Sequence, residues 1–489
     1  MAKVNLKNKF AFFRKSKAIN FNNSALELEE NIDTNATWFQ SMEPITYAKN
    51  NGKKLYKFKK IKINYRDKKN FKELLLTNLK KQLNQCKQKI RNEFLRTSDG
   101  SLNVGLNVIL IDSMLEEIIN NSHQHVFDNM DYKLSIIAVG GYGRGELAPH
   151  SDLDLLFLIP DDLKKTETKN IEGLIQLILH ILWDLGYTVG HSTRTIFDCI
   201  KKSKLDLTIS TSLLEKRFIA GNENNFNLLN TKFNSFISNS KTLNFVEAKL
   251  KESDLRHKKF GGSRYVVEPN VKDGKGGLRD LHTLIWILKF AYKVDSISKL
   301  IQMGALSRNE ALAFAEAQRF LLSVRCHLHY RAEREDDRLA MDAQLEIAKS
   351  MNFKNTITHK DVERFMKRYF LATKTVGNLT RIFCAAIETE FNKPLRLSFL
   401  SFKKSENVTP FSIELGRLYV QNENTLSENP VNIIKIFHIS HQKNIDIHPS
   451  TLRLMTRLTK LINSEVRRSL PHYRLEFRLN DFYEYLAWL

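Results

Sequence analysis

Asp152 and Asp154 stand at i and i+2 in the run Ser151-Asp152-Leu153-Asp154-Leu155. Side chains alternate along a strand, so both carboxylates share one face while Leu153, Leu155 and Phe157 share the other. Two carboxylates side by side repel unless a cation sits between them, and oxygen ligands that also hold triphosphate oxygens suit Mg2+ or Mn2+. Just upstream, Gly140 and Gly141 end a β-branched run and let backbone N–H groups approach a phosphate with no Cβ in the way. Tyr142-Gly143-Arg144-Gly145-Glu146 continues as a turn that opens a short helix, where Arg144 can add a planar, bidentate phosphate contact. A D-x-D or a glycine turn alone is usually a plain strand end or loop. Together, flanked by two hydrophobic strands, they read as metal-dependent phosphoryl or nucleotidyl transfer. A Rossmann unit is excluded because the next strand starts too soon for a crossover helix, and a P-loop because no Lys-Ser/Thr follows the glycines.

The elements that must position these residues are legible on either side. Residues 134–139 (LSIIAV) and 153–159 (LDLLFLI) read as strands, and residues 187–192 (YTVGHS) as a third. Between the second and third, residues 172–185 are apolar on nearly every face, as in a buried helix. Amphipathic helices precede them, one carried by Leu75, Leu79, Leu83, Cys86 and Ile90 and one near 104–119. From about residue 206 onward the stripes are helical, over 206–219, 280–293, 309–331, 361–390 and 450–468. The fold class is therefore α+β, a small mixed-sheet core followed by a large helical region. Domains are placed at 1–65 (a basic irregular arm, with eight basic residues and no acid between 49 and 66), 70–225, 245–395 and 430–489. Soft boundaries fall in the Asn-rich stretch near 225–250 and the apolar-poor stretch near 395–430.

Composition bounds the partners. The 489 residues carry a net charge of +22, which favours anionic partners without choosing among them. The four cysteines are scattered, with no zinc-ligand spacing, and no apolar run approaches a membrane span. A reduced, soluble, cytoplasmic protein is expected, with no membrane partner.

Gly140-Gly141 with Ser151-Asp152-Leu153-Asp154 matches the signature of the DNA polymerase β-like nucleotidyltransferase superfamily. More narrowly, GGYGRGEL followed by SDLDLL resembles the bifunctional uridylyltransferase/uridylyl-removing family of PII nitrogen signalling. So do residues 190–195 (GHSTRT), 206–221 (DLTISTSLLEKRFIAG), 265–286 (YVVEPNVKDGKGGLRDLHTLIW) and 320–344, and the resemblance runs from about 70 to 470. It implies transfer of UMP from UTP to a tyrosine of PII, with release of pyrophosphate, in the regulation of nitrogen metabolism. Carried over, Gly140 and Gly141 hold the triphosphate, Asp152 and Asp154 are catalytic and hold Mg2+ or Mn2+, and Ser151 and Arg144 contact phosphate. Tyr142 and Glu146 either join them or hold the turn.

Two departures from that pattern matter. The superfamily usually takes a third carboxylate from the next strand, and YTVGHS has none. Asp206 is then either the third metal ligand or the N-cap of its helix. The family also continues into a hydrolase and two ligand-sensing domains; with no His-Asp dipeptide before Leu489, the uridylyl-removing and glutamine-sensing parts are expected to be absent and the chain truncated. Residues 268–282, with Lys272, Lys275, Arg279 and three glycines, are either a loop that closes over phosphates or presents a basic surface, or a structural turn in which Asp280 starts a helix. Arg325, Arg331, Arg334 and Arg338 read as a salt-bridged helix face. His327 and His329, at i and i+2 on a helix, do not share a face and make no metal pair. Two rivals stand beside the transferase: a nucleotidyltransferase acting on RNA or a small molecule, with nucleic acid disfavoured by the blocks after residue 190, and a non-catalytic remnant that binds PII or nucleotide.

Overall fold

In a computed structural model, residues 42–52, 56–61, 70–125, 133–163, 165–294, 297–302, 308–355, 360–390 and parts of 407–461 are described. Most of the basic arm and most of the helix expected over 450–468 lie outside them. The described residues fall in two compact units, one within Glu27–Gly377 and one within Asn378–Leu489. The soft boundary read at 225–250 lies inside the first.

Three helices lead into the first unit: α1 (Pro44–Asn51), α2 (Phe71–Thr97) and α3 (Gly100–His125). α1 corrects the expectation of an arm irregular throughout. Pro44 opens it, where a missing N–H costs nothing, and Tyr47 and Ala48 are buried. It packs on α3 at Gly105, where any Cβ would collide with the Pro44 carbonyl. α2 buries the predicted stripe, Leu75, Leu79, Leu83 and Ile90, at helical steps.

The sheet of this unit has the order β3-β2-β1-β4, built from β1 (Ser135–Ala138), β2 (Leu153–Ile159), β3 (Val189–Thr195) and β4 (Arg217–Gly221). Between β1 and β2 lies the five-residue α4 (Gly140–Arg144), and between β2 and β3 the crossover α5 (Lys165–Asp184). That crossover lets β3 run parallel to β2, whereas β1 is antiparallel to both β2 and β4. β2 is thus central, paired on both sides. Leu153, Leu155 and Phe157 enter one core with α2, α3 and α5, as their alternation predicts. β4 replaces the end of the helix read over 206–219. There α6 (Ile196–Leu205) and α7 (Leu207–Leu214) stop before Glu215, and Arg217–Gly221 takes the free edge of β1.

The helical part of this unit comprises α8 (Glu223–Asn239), α9 (Thr242–Lys259), α10 (Leu278–Tyr292), α11 (Ile297–Gln302), α12 (Arg308–Ala332), α13 (Met341–Ser350) and the start of α14 (Asp361–Glu390). Most of α10 is buried, and Phe290 stacks on Phe245 of α9 at 3.9 Å. In the second unit, β5 (Asn407–Val408), β6 (Phe411–Glu414) and β7 (Arg417–Tyr419) form a three-stranded antiparallel sheet with α15 (Asn424–Ser427) and α16 (Asn432–Lys443). Its core joins Phe411, Leu418, Ile433 and Phe437. The chain is α+β, with this small sheet an addition to the expected helical region. No helix among the described residues is long and apolar enough to cross a membrane.

Candidate nucleotidyltransferase site

Asp154 occupies the second position of β2, and its carboxylate lies between two glycines. A Cβ built on Gly140 would fall 2.6 Å from Asp154 Oδ2, and one on Gly190 of β3 would fall 2.5 Å from Oδ1. Gly140 also has φ +59, a left-handed conformation that side chains resist. Gly190 follows from the register, because parallel pairing sets it opposite Asp154. The Asp154 carbonyl accepts the Val139 N–H at 3.1 Å and so fixes the start of α4 against β2. Asp152, just before the strand, is exposed.

Charge around Asp154 is tightly set. Burial, and then the neighbouring Asp152, raise its carboxyl above the usual range, while Arg144, Lys272 and Arg279 pull the other way. Asp152 therefore makes the charge on Asp154 less favourable, a strain that a divalent cation would relieve. Among the described residues no group of three or more His, Cys, Asp and Glu is disposed to hold a metal. Asp206 resolves to the cap: its Oδ1 accepts the Thr208 N–H at 2.7 Å at the start of α7. Asp152 and Asp154 remain side by side at the start of β2. Ser151 Oγ, one residue upstream, is buried and unpaired among the described residues.

The turn between β1 and β2 is pinned by buried polar groups. Tyr142 is fully buried and donates its hydroxyl to Asp112 Oδ1 of α3 at 2.6 Å. Arg217 of β4 forks onto the same carboxylate at 2.7 and 3.1 Å and reaches the Tyr142 carbonyl at 3.3 Å. Arg144 pairs with Glu215 at 2.5 Å and with Glu146 at 3.3 Å, its side chain only 15% exposed. Glu146 also accepts from His282 Nε2 at 2.7 Å and Gln318 Nε2 at 2.6 Å, tying the turn to α10 and α12. Burial alone would raise the Glu146 carboxyl; His282 and Arg144 overcome it and hold Glu146 ionised. Trp286 of α10 donates its Nε1–H to Glu215. Tyr142 and Glu146 therefore hold the turn, and Arg144 is anchored by carboxylates on the flank of Gly141.

The glycine-rich segment before α10 is a built loop. Asn270 Oδ1 accepts the N–H groups of Lys272 and Asp273, Gly276 has φ +82, and its N–H donates to Asp280 Oδ2 at 2.7 Å. Asp280, buried, also takes His257 and Arg256 of α9, so it locks the loop as well as opening α10. The expected salt-bridged arginine face is corrected in part. Arg325 points inward to Asp337 at 2.7 Å, Arg331 pairs with Glu346 and Asp342, and Arg334 and Arg338 lie beyond the end of α12. His327 and His329 meet different partners, Ser98 and Asp337.

The comparisons with known proteins agree with this architecture. A nucleotidyltransferase domain model matches residues 124–219, the GlnD PII-uridylyltransferase model matches 244–384, and the uridylyltransferase GlnD third-domain model matches 411–478. The chain belongs to the PII-uridylyltransferase family. Bifunctional uridylyltransferase/uridylyl-removing enzymes of Azospirillum brasilense and Rhodospirillum rubrum are each 42% identical, over 80% and 78% of this chain. That of Novosphingobium aromaticivorans is also 42% identical, over 73%. The matches cover 42%, 41% and 40% of those relatives, so the chain spans about two fifths of their length. The first family domain carries the glycine turn, the carboxylate pair and β3; the second carries the 268–277 loop and α10.

Sequence reasoning did not reach Gly190, Asp112 or Glu215, whereas Lys272 and Arg279 stood in the block read as either closing over phosphates or forming a structural turn. Gly190 was legible only as part of a strand, and a strand's partner is not written in its own residues.

Proposed function

We propose that this chain is a metal-dependent nucleotidyltransferase that moves UMP from UTP to a tyrosine hydroxyl of the PII signalling protein, releasing pyrophosphate. The observation that carries this reading is the Asp154 carboxylate held between Gly140 and Gly190 beside Asp152, within a chain of this family. Asp152 and Asp154 would hold Mg2+ or Mn2+, which supplies charge stabilisation to the triphosphate and the incoming oxygen. Gly140 and Gly141 leave room for phosphate where any Cβ would intrude, and Ser151 offers an unpaired hydroxyl at the same edge. Arg144, fixed by Glu146 and Glu215, adds positive charge along the turn. The tyrosine oxygen forms its bond to the α-phosphorus as the bond from that phosphorus to the β-phosphate oxygen breaks, and the phenolic proton is released. No side chain of the chain need become covalently attached.

Incubation with UTP labelled in the α-phosphate, Mg2+ and PII is expected to place label on PII, and to place none when the acceptor tyrosine is changed to phenylalanine. Label entering RNA and not PII would overturn the choice of acceptor. No metal-dependent turnover of any nucleoside triphosphate would overturn the transferase reading.

A further inference from the structure

The 268–277 loop and the first turn of α10 carry two cations, Lys272 and Arg279, that the reading above does not use. Two chains of contact link them to the segments that carry the carboxylate pair and the glycine turn. On one side, the His150 N–H, two residues before Asp152, donates to His329 Nδ1 at 3.4 Å. His329 Nε2 meets Asp337 Oδ1 at 3.3 Å, and Lys272 Nζ lies 3.7 Å from Asp337 Oδ2. On the other side, Arg144, whose Nη2 is 3.7 Å from the Cβ position of Gly141, and Arg279 both lie 5.9 Å from the Trp286 ring centre. Hydrogen bonds of the Asp337 carbonyl to the Val271 N–H at 2.8 Å and of the Pro269 carbonyl to the Leu339 N–H at 2.9 Å fix the loop to the segment after α12.

From this arrangement we infer that Lys272 and Arg279 are phosphate-binding residues of the nucleotidyltransferase site, gripping the β- and γ-phosphates of the nucleoside triphosphate and the pyrophosphate that leaves. The inference rests on the transferase reading and adds to it a contribution from the helical region to the substrate's polyphosphate. Both side chains remain partly open, 27% and 30% exposed. Lys272 meets Glu335 at 2.8 Å besides the longer approach to Asp337, and Arg279 meets Asp273 at 3.3 Å; Glu335 and Asp273 are themselves partly exposed, so those two pairs are weak and can give way to a phosphate that carries more charge. Arg279 presents a planar fork and Lys272 a point charge, the two ways in which side chains bind phosphate. The same placement explains why the loop needs its glycines: Gly276 turns through a left-handed conformation, and a Cβ there would press on Thr373 of α14.

The test is calorimetric titration of the full chain with UTP, UMP and inorganic pyrophosphate in Mg2+, for the wild type, Lys272→Gln, Arg279→Gln and Glu335→Gln, each checked for an unchanged melting profile. Lys272→Gln and Arg279→Gln are expected to weaken UTP and pyrophosphate by roughly tenfold each, with UMP unchanged. Glu335→Gln, which removes the nearer of the two carboxylates beside Lys272, is expected to bind UTP at least as tightly as the wild type. Unaltered UTP affinity in both cation variants overturns the inference, as does equal weakening of UTP and UMP, which a merely structural loop would give. A wild type that binds UTP while those variants match it defeats this inference alone. A wild type that binds no nucleoside triphosphate defeats the transferase reading and this inference together.

Discussion

Asp154, a proposed metal ligand, carries a cost to the fold. Its carboxyl is raised by burial and by Asp152, so the ionised form is less favourable in the folded chain than in the unfolded one. The stability it contributes is present below the ordinary carboxylate range and is lost as pH rises through the raised value, which leaves a liability at neutral pH. Asp154→Asn is therefore expected to melt about 1–2 °C higher than the wild type at pH 7 without divalent metal, a gain that a scan in 5 mM Mg2+, on the order of cellular levels, should erase. A lower melting point in the variant would mean that the carboxylate is a structural hub instead. Gly190 tests the same carboxylate from the other strand. In Gly190→Ala the new methyl would lie 2.5 Å from Oδ1 and push Asp154 off its position. Nucleotidyl transfer is expected to fall by about 10–100-fold with the circular dichroism spectrum intact; wild-type turnover would show that Asp154's placement does not matter.

At the scale of elements, the turn between β1 and β2 is held by Tyr142, Asp112 and Arg217 rather than by its glycines alone. Tyr142→Phe removes one hydroxyl and leaves the Asp112–Arg217 fork intact, so a loss of about 1–2 kcal/mol of stability in urea is expected. A neutral result would mean that Asp112 finds full satisfaction from Arg217. The long elements were legible because periodicity accumulates: the stripe over 361–390 coincides with α14, and the one over 309–331 with α12. β4 was misread because five residues following an apolar helix hold too few alternations to break a helical pattern, and β5 to β7 are shorter still. Of the site, the carboxylate pair and glycine turn were readable from spacing along one stretch of chain. Gly190 and Glu215 were not, because their proximity is made by sheet pairing and by the docking of α10, which join residues far apart in sequence. Asp206 lay at the limit: its type and place allowed a ligand or a cap, and only the Thr208 N–H separates the two.

Across the whole molecule, buried titratable groups make the Glu27–Gly377 unit sensitive to acid. Burial lowers His327 to about 4, so the folded chain resists its protonation. For a base lowered in this way, stability is full above the unfolded value near pH 6.5 and is lost as pH falls toward 4. Glu146 and Asp337, both held below the usual carboxylate range, extend the loss below pH 4.5, where their unfolded counterparts take up protons. Between pH 7 and pH 5 His327 alone is expected to account for about 2 kcal/mol. Denaturant melts at the two pH values should show that drop in the wild type and a smaller one in His327→Gln; equal slopes would assign the acid sensitivity elsewhere. The same unit joins its two family domains through Glu146, which reaches from the turn to His282 and Gln318.

The most direct measurement is the rate of UMP transfer from UTP to PII by the wild type, Asp152→Asn and Asp154→Asn under saturating Mg2+. Metal-dependent transfer by the wild type, with a loss of at least about 1,000-fold in each variant, is the expected result for removal of a charged ligand that stabilises the transition state. Transfer at the wild-type rate by either variant would contradict the account.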